Sequence, residues 1–324
     1  MDPTAGVRLG RTGLTVTRLG LGCAPIGGLY EPVSDADARA VVERAWELGL
    51  RLYDTAPLYG SGLSELRLGL ALQSRPRAEL VLSTKVGRRL RPNGKSAAMF
   101  EGALPLEPFF DFSYDGVLRS LDESLERLGL DRVDVVHIHD PDDHFGEART
   151  GAYPALARLR EEGVVQAIGV GMNQAELLAR FARETDVDCL LLAGRYTLLD
   201  THALDDLLPL CLERGIAVIA GGVFNSGALA GDVRYDYAPA QPEVLARVRR
   251  LADVCARWEI PLPAAAVQFP LGHPAITCVL VGCRSALEME EDVALFELDL
   301  PAGLWEELRA EGLLSAEAPA PVSH

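Results

Sequence analysis

The chain has 324 residues, about half of them apolar, and 31 Lys and Arg stand against 47 Asp and Glu for a formal net charge of −16. Such an acidic chain repels phosphate backbones, which excludes nucleic acid as an expected partner. No apolar run approaches the ~18–20 residues of a membrane span, and residues 1–9 lack the basic patch and apolar stretch of a signal peptide, so a soluble, cytoplasmic protein with no membrane partner is expected.

In chain order, residues 7–9 and 15–19, joined by Gly-Arg-Thr-Gly, predict a β-hairpin suited to plugging the bottom of a barrel. Short apolar runs then alternate with amphipathic segments. Strands are predicted at 19–22, 51–54, 80–86, 133–139, 165–171, 189–193, 217–221 and 278–282. Helices follow them at 35–48, 64–72, 114–128, 153–162, 175–184, 204–213, 242–258 and 286–296. Eight strands, each followed by a helix, predict a closed parallel α/β barrel, the (β/α)8 or TIM barrel, rather than an open sheet. The strands are continuously apolar, as expected when both faces are buried.

Residues 301–312 predict an added C-terminal helix, and the Ala- and Pro-rich stretch 315–324 is expected to fray. No linker divides the chain, so residues 1–324 read as one domain. Two long connections, 87–113 after the third strand and 222–241 after the seventh, fall on the face where a barrel carries its chemistry and are expected to be lids over a ligand. The six cysteines contain no C-x-x-C pair and suit buried free thiols in a reducing compartment.

Catalytic groups in such a barrel sit at the C-terminal ends of the strands. The second strand ends at Asp54, with Tyr59 five residues on; the third carries Lys85 and the fourth ends at His139. A Lys in an apolar run needs a carboxylate partner or loses its charge, and Asp54 on the adjacent strand supplies one. Tyrosine, with a pKa of ~10, is too weakly acidic to serve freely as a base near neutrality. A neighbouring ammonium favours the phenolate and is expected to lower that pKa. Tyr59 as acid or base, Lys85 tuning it, Asp54 holding Lys85 and His139 binding the reacting oxygen suit hydride transfer, in which the cofactor does the redox chemistry and the protein manages one proton.

Asp54-Thr-Ala-x-x-Tyr59-Gly, Ser83-Thr-Lys85 and His139-Asp-Pro resemble the catalytic tetrad motifs of the aldo-keto reductase superfamily, as do Leu19-Gly-Leu-Gly and Ser120-Leu-x-x-Ser-Leu-x-Arg-Leu-Gly129. The resemblance covers nearly the whole chain in the correct order. Phe112-Ser-Tyr-Asp115, His139-Asp-Pro-Asp142, Gly169-Val-Gly-Met-Asn173 and Gly222-Val-Phe-Asn-Ser-Gly227 are similar to its aldose 1-dehydrogenase branch, which includes L-fucose, D-arabinose and L-galactose dehydrogenases and pyridoxal 4-dehydrogenase. It implies Asp54, Tyr59, Lys85 and His139 as catalytic residues. It also implies NAD or NADP contacts from Gly22, Asn173, Tyr196, Gly222, Phe224, Asn225, Gly227, Leu229, Gly282, Arg284, Glu288 and Asp292.

The cofactor residues depart from the family in places. Met172 replaces the usual Ser before Asn173, and Ala193 stands where a Gln is common, with Arg195 and Tyr196 close by. Gly221 or Gly222 takes the place of the Tyr that stacks on the nicotinamide, leaving that role to Phe224. Arg284 is the one basic residue between 277 and 300, among Glu288, Glu290, Glu291 and Asp292, which points to NAD used at least as well as NADP. The branch implies oxidation of an aldose at C1 to a lactone by a monomer or small homo-oligomer acting on a small sugar or carbonyl compound. Reduction of an aldehyde or ketone in secondary metabolism is the runner-up.

Other readings compete. His137-x-His139 places two imidazoles on one strand face, as in a metal-dependent barrel hydrolase. That chemistry needs the pair on the first strand and further ligands later, whereas His144, His202, His273 and His324 fall in predicted loops or helices. No metal is therefore expected, and His137 reads as a core residue one layer below His139. Gly169-x-Gly-x-x-Gln is an incomplete dinucleotide fingerprint. A cofactor-binding regulatory subunit is the non-enzyme alternative, opposed by the intact tetrad.

Overall fold

Two short antiparallel strands, β1 (Gly6–Arg8) and β2 (Thr15–Thr17), open the chain in the computed structural model, which describes residues 1–92 and 96–321. Eight further strands form a closed parallel barrel: β3 (Leu19–Gly22), β4 (Leu52–Asp54), β5 (Val81–Val86), β8 (Val135–His139), β9 (Ala167–Met172), β10 (Cys189–Ala193), β11 (Ala217–Gly221) and β14 (Ile276–Val281). Each pairs with the next along the chain, and β14 returns to β3. The numbers between belong to two antiparallel hairpins in the loops, β6 (Arg88–Pro92) with β7 (Leu106–Phe110), and β12 (Arg234–Tyr235) with β13 (Ala238–Pro239).

Side chains alternate along a strand, and that alternation separates two cores. Outward-facing Leu21, Tyr53, Leu82, Val136, Ile168, Leu190, Val218 and Val279 join the large cluster under the helices. Inward-facing Leu52, Val81, Val135, Cys189, Ile219 and Cys278 meet Leu9, Leu14 and Val16 of the N-terminal segment, which closes the barrel's floor as its sequence predicts. Two residues further along the same strands, the inward positions turn polar: Asp54, Ser83 and His137, then Lys85 and His139. The barrel is thus apolar at its base and polar toward the mouth.

Serine caps set the start of several helices. Ser34, Ser113 and Ser285 accept the N–H groups of Asp37, Gly116 and Glu288. The fourth and fifth strands begin two residues later than predicted, and β14 lies at 276–281 rather than 278–282. An unpredicted helix, Leu262–Gln268, follows Pro261; Pro263 occupies its first turn, where no N–H is missed, and Ala264–Ala266 continue it. Residues 315–321 pack rather than fray: Ala318 is buried and its carbonyl accepts from Arg309 Nη2 at 2.8 Å. The rest of that predicted tail, including His324, lies outside the described residues. All six cysteines are buried and unpaired. Among the described residues, no helix is long and apolar enough to cross a membrane.

Candidate active site

Strand register brings the predicted tetrad together. Asp54 pairs with Ser83, and two residues on, Lys85 pairs with His137. Lys85 Nζ donates to Asp54 Oδ2 at 2.5 Å and to the Thr55 carbonyl at 2.9 Å. Tyr59 lies in the loop after β4. Its position is fixed by close backbone approach: a Cβ on Gly27 would meet the Tyr59 carbonyl carbon at 2.8 Å, and one on Gly60 (φ 62°) would meet the Gly27 oxygen at 2.3 Å. The Lys85 ammonium sits 4.8 Å from the Tyr59 ring centroid, and the His139 ring meets Tyr59 edge-on at 5.8 Å.

Burial and charge set the protonation states. Burial opposes the charge on Lys85, but the Asp54 carboxylate, aided by Tyr59, overrides it and holds the amine above its ordinary value. For Tyr59 the balance differs from the expectation of a lowered pKa. Burial pushes its hydroxyl up to about 12, and Lys85 only limits the rise. Burial, reinforced by Lys85 and then Arg88, holds His139 well below the usual imidazole range, so it is neutral. A neutral imidazole donates one hydrogen bond without placing a charge beside the reacting oxygen.

Beneath the tetrad runs a directional hydrogen-bond chain. Ser83 Oγ donates to Asp54 Oδ1 at 2.8 Å, so its oxygen accepts from His137 Nδ1 at 3.1 Å. That assignment leaves His137 Nε2 to accept from the Cys189 thiol at 3.5 Å. Burial, then Lys85, pulls His137 down to about 3, consistent with this neutral tautomer. Gly169 makes room for the ring, since a Cβ there would meet His137 Cδ2 at 2.7 Å. Both nitrogens of His137 are engaged in the core, and among the described residues no three His, Cys, Asp or Glu side chains form a metal-holding group.

A cavity of about 520 Å³ runs from Asp54 and Tyr59, past Asn173 and the loop after β11, to the start of the helix Ala286–Glu297. The loop turns through left-handed residues, Gly222 (φ 60°), Asn225 (47°), Ser226 (58°) and Gly227 (97°). Asn225 Oδ1 is buried without a hydrogen-bond partner among the described residues. An elongated cleft joining a proton-transfer site to a helix N-terminus, with an unsatisfied polar atom in its wall, fits a dinucleotide. The following segment crosses to other loops. Arg195 holds both Asp236 oxygens at 2.7 and 2.9 Å, and Tyr237 N–H donates to Ser226 Oγ at 3.0 Å. At the far end, Arg284 pairs with Glu31 at 2.8 Å and Glu288 at 3.1 Å.

Of the residues predicted to contact cofactor, Gly22, Asn173, Gly222, Phe224, Asn225, Gly227, Gly282, Arg284, Glu288 and Asp292 line this cavity. Tyr196 and Leu229 do not. Tyr196 is 2% exposed and packs on Phe269, with ring centroids 5.0 Å apart, and Leu229 is equally buried. The cavity also draws in Tyr30, Arg234, Asp236 and Tyr237, which sequence reasoning did not single out. Their signal was position: all lie in loops following barrel strands.

Comparison with known proteins agrees with this construction. The chain is 44% identical to pyridoxal 4-dehydrogenase of Microbacterium luteolum, with 95% of this chain and 97% of that protein covered. It is also 44% identical to D-threo-aldose 1-dehydrogenase of a Pseudomonas species, covering 93% and 96%. An aldo-keto reductase from Bacillus halodurans, solved in its holo form, superposes with a TM-score of 0.76 at 24% identity, covering 97% of this chain and 98% of that one. The profile of the aldo/keto reductase family matches residues 18–311, and with the closed barrel in place, the chain belongs to that family of oxidoreductases.

Proposed function

We propose that this protein oxidises an aldose at its anomeric carbon to the lactone, with Tyr59 exchanging the proton. The observation that carries the proposal is the buried Lys85–Asp54 pair beneath the Tyr59 ring, facing a neutral His139. Relatives named as an aldose and a pyridoxal dehydrogenase support the choice of a ring hemiacetal as substrate. A nicotinamide cofactor, when bound, supplies the hydride acceptor. His139 binds the anomeric oxygen through N–H, and Tyr59 as phenolate takes its proton, the Lys85 ammonium stabilising the anion. The tyrosine is protonated near neutrality, so oxidation accelerates with pH while the reverse reduction slows. That same protonated state favours reduction of an aldehyde or ketone as the second reading.

NAD is proposed to serve at least as well as NADP. Glu31 and Glu288 already occupy the Arg284 guanidinium, and Glu291 and Asp292 line the same end of the cleft. A 2′-phosphate would meet those carboxylates, whereas a ribose hydroxyl can donate to one. A cofactor-linked absorbance screen of aldoses, pyridoxal and simple aldehydes, with NAD and NADP in wild type and Arg284→Ala, tests both points. Turnover of aldoses with NAD is expected. Turnover confined to simple aldehydes would replace the aldose reading with the reductase one, and a wild-type NADP preference that collapses in Arg284→Ala would overturn the cofactor reading.

A further inference from the structure

A second cavity, of about 420 Å³, opens beside the cleft, and Asn173 and Tyr237 border both. Asp140 in its wall directly follows His139, which sets this cavity next to the tetrad. Its wall carries an ion pair outside the tetrad: Arg88 Nη2 donates to Asp140 Oδ2 at 3.0 Å, and the two side chains are 22% and 25% exposed. The Arg88 guanidinium lies 4.6 Å from the centroid of Phe110, an aromatic ring left 46% exposed in the same wall.

Asp140 follows the catalytic histidine and is held at φ 40°, a left-handed conformation that costs a non-glycine residue roughly 1–3 kcal/mol. Its N–H donates to the Gly171 carbonyl at 3.0 Å, which ties the strained residue to β9. The turn sets Asp140 Oδ2 3.5 Å from His139 Nε2. That separation is too long for a good hydrogen bond between them. An oxygen accepting from His139 Nε2 therefore lies beside the Asp140 carboxylate, within reach of a hydroxyl on the adjacent ring carbon.

We propose that Arg88 and Asp140 form a subsite for the hydroxyl groups next to the reacting carbon, making the substrate class a polyhydroxylated ring rather than an apolar or aromatic aldehyde. Each sugar hydroxyl donates and accepts, so a carboxylate acceptor beside a guanidinium donor satisfies both capacities. The pair is partly exposed and already mutually neutralised, so receiving a hydroxyl does not strip an isolated charge of water.

Resting on the aldose reading above, the subsite is tested with an aldose from the substrate screen and its 2-deoxy counterpart. kcat/KM is measured for both in wild type, Asp140→Ala and Arg88→Met, with cofactor Kd as the check on folding. Wild type should prefer the aldose by roughly 10–100-fold, the scale of one hydrogen bond to a charged group. In Asp140→Ala the aldose should lose about 10–100-fold more than the 2-deoxy sugar, so that the preference disappears; Arg88→Met should narrow the preference in the same sense. Equal losses on both sugars in the variants, or no wild-type preference, would overturn the subsite and leave the aldose reading standing. Turnover of simple aldehydes without any aldose would overturn both.

Discussion

Replacing Asp54 by Asn should destabilise the protein by about 3–5 kcal/mol, the usual consequence of leaving a buried charge without its partner. Lys85 and Asp54 are 1% and 5% exposed, and without the carboxylate the ammonium keeps only neutral partners, the Thr55 carbonyl and the Tyr59 hydroxyl, among the described residues. In the wild type the amine's pKa is raised, so the pair's stabilisation is complete below the unfolded value of about 10.5 and is lost only as pH climbs through the higher folded value. In Asp54→Asn, burial dominates and the folded pKa drops below that of the unfolded chain. The sign reverses, and the variant should gain stability as pH rises from 7 toward 10. Adding Lys85→Met removes the stranded charge, so the double variant should recover most of the lost stability. It should not recover turnover, because Tyr59 then lacks the cation that restrains its pKa; a loss of roughly 10²–10⁴-fold is expected in both variants. Urea denaturation at two pH values and cofactor-linked turnover give both readouts. A double variant no more stable than Asp54→Asn, or one with wild-type turnover, would refute the reasoning.

His137→Phe should retain the fold while breaking the chain to Ser83 and Asp54, lowering kcat by about tenfold, the worth of one net hydrogen bond, and shifting the alkaline limb of the pH profile with little change in cofactor Kd. An unmoved profile would make His137 a packing residue only. Burial, with Glu288 and Glu291 nearby, raises Asp292 to about 7, so the folded state resists its ionisation and stability falls as pH rises from about 4 through 7. Asp292→Asn should flatten that profile and raise stability by about 1–2 kcal/mol at pH 8 relative to pH 5, part of the full shift being screened by solvent; an unchanged profile in thermal melts would contradict it.

The barrel was legible in the sequence because its strands are buried on both faces. Residues 189–193 and 217–221 are uninterrupted apolar runs, and both strands fall at their predicted bounds. The β6–β7 hairpin was not legible. Its sequence is rich in Arg and Pro, and it is held by pairing from Arg91 to Glu107 and from Arg89 to Glu123, together with Arg–Phe stacking, rather than by alternating apolar positions. The gathering of Asp54, Lys85 and His139 could be read from strand ends, since register alone makes them neighbours.

What the sequence left open depended on three-dimensional burial and on loop paths. The direction of the Tyr59 shift follows from how much surrounding protein excludes water, which outweighs the ammonium that the sequence does show. Tyr196 stands near the end of a barrel strand, yet it turns into the core against Phe269 and His273. Arg88 and Asp140 come from separate loops, and only the fold sets them side by side.

The central claim is that Tyr59 handles the proton of a hydride-transfer reaction, and the pH dependence of turnover in wild type and Tyr59→Phe tests it most directly. Wild-type aldose oxidation should rise from pH 6 to 10 as the phenolate becomes accessible, and Tyr59→Phe should be slower by roughly 10²–10⁴-fold with a flat profile and near-native cofactor affinity. A Tyr59→Phe enzyme retaining the wild-type rate and pH rise would contradict the account.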